Sequence, residues 1–175
     1  IGLLGFGTVG AGVVDGLQKN GDLLAARIGV RPVLRKIADL DLKSDRGVKV
    51  SRSILTKDAM AVIRDPSVDV IVELIGGTRI AREFTRQALS LGKPVVTANK
   101  ALLAEYGAEL FGLAASRGTT IGFEASVGGG IPIIRSLKEG LVANKIKRIY
   151  GILNGTCNYI LTRMEREKLD FDRAL

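Results

Sequence analysis

Histidine and tryptophan are absent from the 175 residues, and cysteine occurs once, at Cys157. Without histidine the chain lacks the side chain that titrates nearest neutrality and the commonest metal ligand. Acid–base work therefore falls to lysine, aspartate, glutamate or tyrosine. One cysteine allows no intrachain disulfide, which suits a reducing cytoplasm. Aromatic residues make up 5% of the chain, too few for a platform on which nucleic-acid bases would stack. No uninterrupted apolar stretch approaches the roughly 18 residues of a membrane span. Neither a membrane nor a signal peptide is expected. The chain opens at Ile1 inside an apolar run, without an initiator Met, and reads as trimmed at its start.

What is present is a large apolar fraction, 46%, and a net charge of +8. The apolar fraction is enough for a core. The positive residues are scattered, and their densest spot is the short Lys145-Ile146-Lys147-Arg148. A basic surface that meets the phosphates of a small ligand accounts for the charge at least as well as nucleic acid does.

Along the chain, strand-like and helix-like segments alternate, which argues for a parallel sheet with helices on its faces. Strands are expected at Ile1 to Leu4, Val33 to Ala38, Val68 to Leu74, Val95 to Thr97, Thr120 to Phe123 and Ile146 to Leu153. Helices are expected from Thr8 to about Leu17, with a short second one capped by Asn20, and at Asp58 to Arg64 and Arg79 to Leu91. Others follow at Glu105 to Arg117, at Pro132 to Glu139 and from Thr156 onward. Gly92, Gly118 and Gly140 stand where helices stop. The glycine cluster Gly128-Gly129-Gly130 marks a change of composition, so residues 1–124 read as one domain and 125–175 as the truncated start of a second, α+β domain. The fold class is α/β, a doubly wound parallel sheet.

The segment Gly5-Phe6-Gly7-Thr8-Val9-Gly10 follows an expected strand and opens an expected helix, the context in which this spacing binds a dinucleotide. Gly5 permits a tight turn, Gly7 lets a pyrophosphate approach the backbone, and Gly10 lets the helix pack close to the sheet. The helix N-terminus offers free N–H groups to the phosphates. Asp39, after the second strand, is placed to take ribose hydroxyls, which favours NAD; it also reads as a solvated loop carboxylate. Lys43 and Arg46 follow closely and could hold the extra phosphate of NADP. Three further clusters stand just after expected strands: Glu73 to Thr78, Thr97 to Lys100 and Glu124 to Pro132. A fourth is Asn154-Gly155-Thr156-Cys157-Asn158. The carboxyl ends of parallel strands share one edge where ligands bind, so Gly76, Gly77, Thr97 and Lys100 are expected beside the cofactor with the glycine turn.

The segments Val72 to Gly77, Thr97 to Leu103, Glu124 to Pro132 and Gly151 to Leu161 resemble homoserine dehydrogenase, in that order, and with the glycine turn they span nearly the whole chain. The resemblance implies NAD(P)H-dependent reduction of aspartate 4-semialdehyde to homoserine, on the route to threonine and methionine. It implies that Lys100 is one of the family's catalytic lysines, near nicotinamide and substrate; otherwise it is a surface lysine. It implies that Glu124 and the carbonyls of Val127, Gly129 and Ile131 form a sodium site; otherwise Glu124 caps its loop by hydrogen bonding. It further implies a homodimer, with a second catalytic lysine and acidic substrate-binding residues beyond Leu175. Two alternatives stand beside it: another dehydrogenase of small amino or oxo acids, and a nucleotide-sensing module without catalysis. Cys157 at a helix start suggests a thioester-forming thiol, but such chemistry wants a nearby base, usually histidine. A small packed cysteine fits better.

Overall fold

The computed structural model describes residues 1–151 and 155–175. The chain packs as two units, Ile1–Arg135 and Ser136–Leu175. The first holds six strands: β1 (Gly2–Leu4), β2 (Lys36–Ala38), β3 (Leu55–Thr56), β4 (Ile71–Glu73), β5 (Val95–Thr97) and β6 (Ile121–Gly122). All pairings are parallel, and the order across the sheet is β3-β2-β1-β4-β5-β6. From β1 the chain first adds strands on one side, then crosses to β4 and adds them on the other. The turns after β1 and β4 therefore diverge, and a crevice opens at the carboxyl edge between them.

Helices cover both faces of the sheet, and every residue of the two central strands, β1 and β4, is buried. Successive side chains point to opposite faces. Leu4, Ala38, Ile71 and Val95 enter one core with Val62, Ala88, Leu89, Leu102 and Leu110. Their neighbours Leu3, Ile37 and Val72 enter the other, with Phe6, Ala11 and Val14. These helical partners belong to α2 (Ala59–Ile63), α3 (Arg79–Ser90) and α4 (Lys100–Ser116) on one side and to α1 (Thr8–Ile28) on the other.

Several boundaries differ from expectation. Helix α1 runs 21 residues through Asn20, which does not cap a second helix. Extending a helix already anchored by Ala11 and Val14 gains a hydrogen bond per residue, whereas a new nucleus is costly. It stops at Gly29, whose φ of 77° gives a left-handed cap with its N–H on Ala25 O. Helix α4 starts at Lys100 rather than Glu105, because Asn99 caps it, Oδ1 accepting from Leu102 N at 3.0 Å. Strand β3 was not expected. It is a two-residue edge strand, too short for any periodicity to show. The helix expected over 132–139 is reduced to α5 (Ile133–Arg135), and Ser136–Gly140 winds as a wider π turn.

The second unit holds α6 (Gly155–Glu167) and α7 (Phe171–Ala174). They pack on each other, and Ile160 and Ala174 are buried. Asp170 caps α7, Oδ1 accepting from Arg173 N. The strand expected over 146–153 is absent among the described residues up to Gly151, and Ile149 and Tyr150 are exposed. A strand needs a hydrogen-bonded neighbour, and no described residue of this unit is in a strand. Residues 152 and 153 of that expectation lie outside the described residues.

Candidate functional site

The turn after β1 is built by missing side chains. Gly5 has φ 94°, a conformation that L side chains rarely adopt, and a Cβ there would lie 2.6 Å from Leu74 O. A Cβ on Gly10 would lie 2.3 Å from Gly5 O, so α1 can close on the sheet only with glycine at this place. Gly7 is different. Its φ is −73°, it stands at the N-cap of α1 without a side-chain cap, and a Cβ there would meet nothing within 4 Å. Neither backbone nor packing asks for glycine at Gly7. Its vacancy faces the crevice, where an approaching ligand would use it. Phe6 turns into the core, while Thr8 and Val9 lie exposed on the first turn of α1.

Asp39 follows β2, as expected. Its Oδ2 accepts from Phe6 N at 2.5 Å and its Oδ1 from Asp41 N at 2.8 Å. The carboxylate is thus clamped beside the glycine turn. Arg46 is engaged with Asp41 at 3.0 Å. Hydrogen bonds from the Ser44 side chain and from the N–H groups of Lys43 and Ser44, with a smaller pull from Arg46, hold the Asp41 carboxyl down at about 2. Gly5, Gly7, Asp39, Leu74, Ile75 and Gly76 line a crevice of about 420 Å³. Leu40, Lys57, Ala59, Ile80 and Phe84 complete it, and sequence reasoning named none of them. The one usable signal was Ile80, apolar yet standing in the exposed first turn of α3. With Phe84 one turn later it makes an apolar wall suited to a flat ring. Like Gly7, Gly76 has open space at its Cβ position and a backbone that does not require glycine.

The turns after β4 and β5 are fastened by side chains instead. Glu73 is fully buried at the end of β4. Its Oε1 accepts from Ile75 N at 2.7 Å and its Oε2 from the Thr97 hydroxyl at 2.6 Å. Burial pushes this carboxyl above the ordinary carboxylate range, against the lowering effect of those two donors. Thr97 Oγ1 in turn accepts from Asn99 N at 3.0 Å. The Asn99 amide donates to Ile75 O at 3.1 Å and to Gly77 O at 2.7 Å. Thr97 is itself fully buried, so its hydroxyl serves this network. Lys100 is the first residue of α4 and is exposed.

Glu124 opens a 3-10 turn over Glu124–Ser126. Its two oxygens accept from Ile134 N and Arg135 N, at 2.9 and 3.0 Å, so in this geometry it caps α5. Ser126 ties the same turn to β5 by donating to Thr97 O. Ile131 O accepts from Ile133 N. Among the described residues no cluster of three acidic, histidine or cysteine groups is placed to hold a metal. No helix among them is long and apolar enough to cross a membrane. Cys157 is exposed on α6, which corrects the expectation of a packed cysteine: it stands on the first turn of a helix that buries only Ile160. Asn154, of the fourth cluster, lies outside the described residues.

A clamped carboxylate, an open glycine turn and a strand-order reversal meet at one crevice, and comparison with known proteins agrees with that geometry. A family model described as the NAD-binding domain of homoserine dehydrogenase matches residues 5–124, and one described as homoserine dehydrogenase matches 132–175. The chain belongs to the homoserine dehydrogenase family. It is 46% identical to the homoserine dehydrogenase of Bacillus subtilis over 175 residues, all of this chain and 40% of that protein. The crystal structure of the enzyme from Thiobacillus denitrificans superposes with a TM-score of 0.89 at 44% identity, covering 99% of this chain and 40% of that one. A hyperthermophilic archaeal homoserine dehydrogenase in complex with NADPH gives a TM-score of 0.79 at 29% identity, covering 99% and 58%. The chain thus spans about two fifths of the length of the bacterial relatives it matches.

Proposed function

We propose that the full-length protein interconverts aspartate 4-semialdehyde and homoserine with NADH or NADPH. Residues 5–124 hold the dinucleotide, and residues 125–175 open the catalytic and dimerisation domain. The observation that carries this reading is the pair of glycines without a structural reason. Gly7 and Gly76 both border the crevice, and at each the absent side chain leaves room that a ligand can occupy. The N-terminus of α1, whose first N–H groups have no side-chain cap and no acidic residue in the first turn, would hold the pyrophosphate. Asp39 receives the ribose hydroxyls. Ile80 and Phe84 cover the adenine.

When bound, the nicotinamide supplies hydride to the aldehyde carbon or accepts it from the alcohol. Lys100 Nζ then stabilises the alkoxide oxygen and gives it a proton, directly or through water, and in the reverse direction takes the hydroxyl proton. Glu124 and the carbonyls of Val127, Gly129 and Ile131 are all-oxygen donors of the kind a sodium ion accepts. Each can keep a free lone pair while serving the hydrogen bonds described above, so these residues would hold that ion and stiffen the loop. The expected assembly is a homodimer in the cytoplasm.

Steady-state kinetics of the full-length protein test the reading. Homoserine-dependent reduction of NAD⁺ or NADP⁺ is expected. Nucleotide binding without turnover would leave only a sensing module.

A further inference from the structure

The proposed chemistry gives no work to Glu73, the one fully buried carboxylate among the described residues. Its place is decided by register. Glu73 of β4 pairs with Thr97 of β5, so the last residues of two neighbouring strands meet at the carboxyl edge. A buried acid normally meets a cation or gives up its charge. This one meets a hydroxyl and a backbone N–H.

Asn99 N donates to Thr97 Oγ1, and the Thr97 hydroxyl donates to Glu73 Oε2. Ile75 N is also a donor, so Oε1 must accept as well. Both oxygens act as acceptors, which an ionised carboxylate satisfies and a carboxamide of the same shape cannot. From Thr97 the chain of bonds passes through Asn99, whose amide takes the carbonyls of Ile75 and Gly77 and whose oxygen caps α4. Three backbone groups of the turn 75–77 are therefore held by the side chains of Glu73 and Asn99. That turn contains Gly76 and a left-handed Gly77, φ 82°, and would be loose by itself. The helix that Asn99 caps begins with Lys100.

We infer that Glu73 is a positioning residue, which through Thr97 and Asn99 sets the Gly76–Gly77 turn and the first turn of α4 so that Lys100 stands in reach of the reacting carbonyl. This rests on the role given to Lys100 above. Glu73 touches neither cofactor nor substrate. Its effect is felt in turnover, because a misplacement of about 1 Å can cost a hundredfold in rate.

The test uses the full-length protein with Glu73→Gln, Asn99→Asp, Thr97→Val and Thr97→Ser. Asn99→Asp keeps the helix cap and removes both amide donors, so it breaks the network without threatening the fold. For each, kcat with homoserine, the NADH dissociation constant and amide hydrogen exchange over 74–78 and 98–104 are measured. The first three variants should lower kcat by about tenfold to a hundredfold with the dissociation constant changed less than about threefold. Exchange should rise in the two turns and stay unchanged in β1 and β4. Thr97→Ser, which keeps the hydroxyl, should recover most of the wild-type rate. Wild-type kcat in Thr97→Val or Asn99→Asp, or no gain of Thr97→Ser over Thr97→Val, overturns the inference. So does a loss of kcat and binding together with faster exchange across the whole sheet, which marks a merely structural role. If wild type itself does not turn over homoserine, the reading of the reaction fails separately. The exchange pattern then decides whether Glu73 holds the two turns.

Discussion

The two walls of the crevice are made in opposite ways. The turn after β1 holds its shape by backbone packed on backbone, Gly5 under Leu74 O and Gly10 over Gly5 O. The turns after β4 and β5 hold theirs by a chain of side-chain hydrogen bonds from Glu73 to Asn99. The first wall is damaged by adding atoms and the second by removing them. The Asp39 carboxylate holds Phe6 N of this turn, while the N-terminus of α1 has no side-chain cap and its first N–H groups stay open. On the proposed reading the braced turns aim the Lys100 side chain, and bracing suits that task.

The largest expected effect lies on the braced wall. In the full-length protein Lys100→Ala should lower kcat by about a hundredfold to ten-thousandfold, with NADH binding nearly unchanged by titration calorimetry. Lys100→Arg should rescue poorly, since guanidinium does not release its proton near neutrality. Cys157→Ala should stay active, and a dead Cys157→Ala beside an active Lys100→Ala would replace the lysine by the thiol.

On the open wall, Gly7→Val should weaken NADH about a hundredfold, nearly 3 kcal/mol, while thermal unfolding moves little. Equal affinities would remove Gly7 from the site. Gly10→Ala should do the reverse. Its Cβ would meet a backbone oxygen at 2.3 Å, so stability should fall by about 1–3 kcal/mol in denaturant titration. Asn99→Ala on the other wall should cost about 0.5–2 kcal/mol for the lost cap. If adding at Gly10 and removing at Asn99 were both harmless, the contrast between the walls would be empty.

A smaller effect is expected at the rim. Asp39→Ser should shift preference toward NADP by about tenfold, or 1.4 kcal/mol, because the carboxylate stands where a ribose phosphate would be repelled. An unchanged ratio of dissociation constants would hand selection to Lys43, Arg46 or Lys57. The smallest is a pH slope confined to the braced wall. Glu73 titrates higher in the folded chain than its ordinary 4.5. Above that ordinary value the unfolded chain has lost this proton while the folded chain still holds it. Its contribution to stability is therefore full below 4.5 and is lost as pH rises through the raised value. Glu73→Gln should remove that descent, by at most about 1.4 kcal/mol per pH unit, and an identical slope in both proteins would refute the assignment.

The sequence alone determined what acts over a few residues. The buried apolar runs of β1 and β4, the glycine turn and the Asp39 position were all readable, because local sterics and composition decide them. It also carried the family resemblance, in segments that local order preserves. Tertiary structure decided the rest. Asn20 lies inside α1 because an anchored helix propagates. Residues 146–151 form no strand, and no described residue of their unit does. Lys57, Ile80 and Phe84 reach the crevice from elements whose neighbours are set only by strand order. The network of Glu73, Thr97 and Asn99 joins residues 24 apart in the chain. Nothing in either segment announces the bond, because it exists only once β4 and β5 have paired in register and burial has left the carboxylate with those two donors.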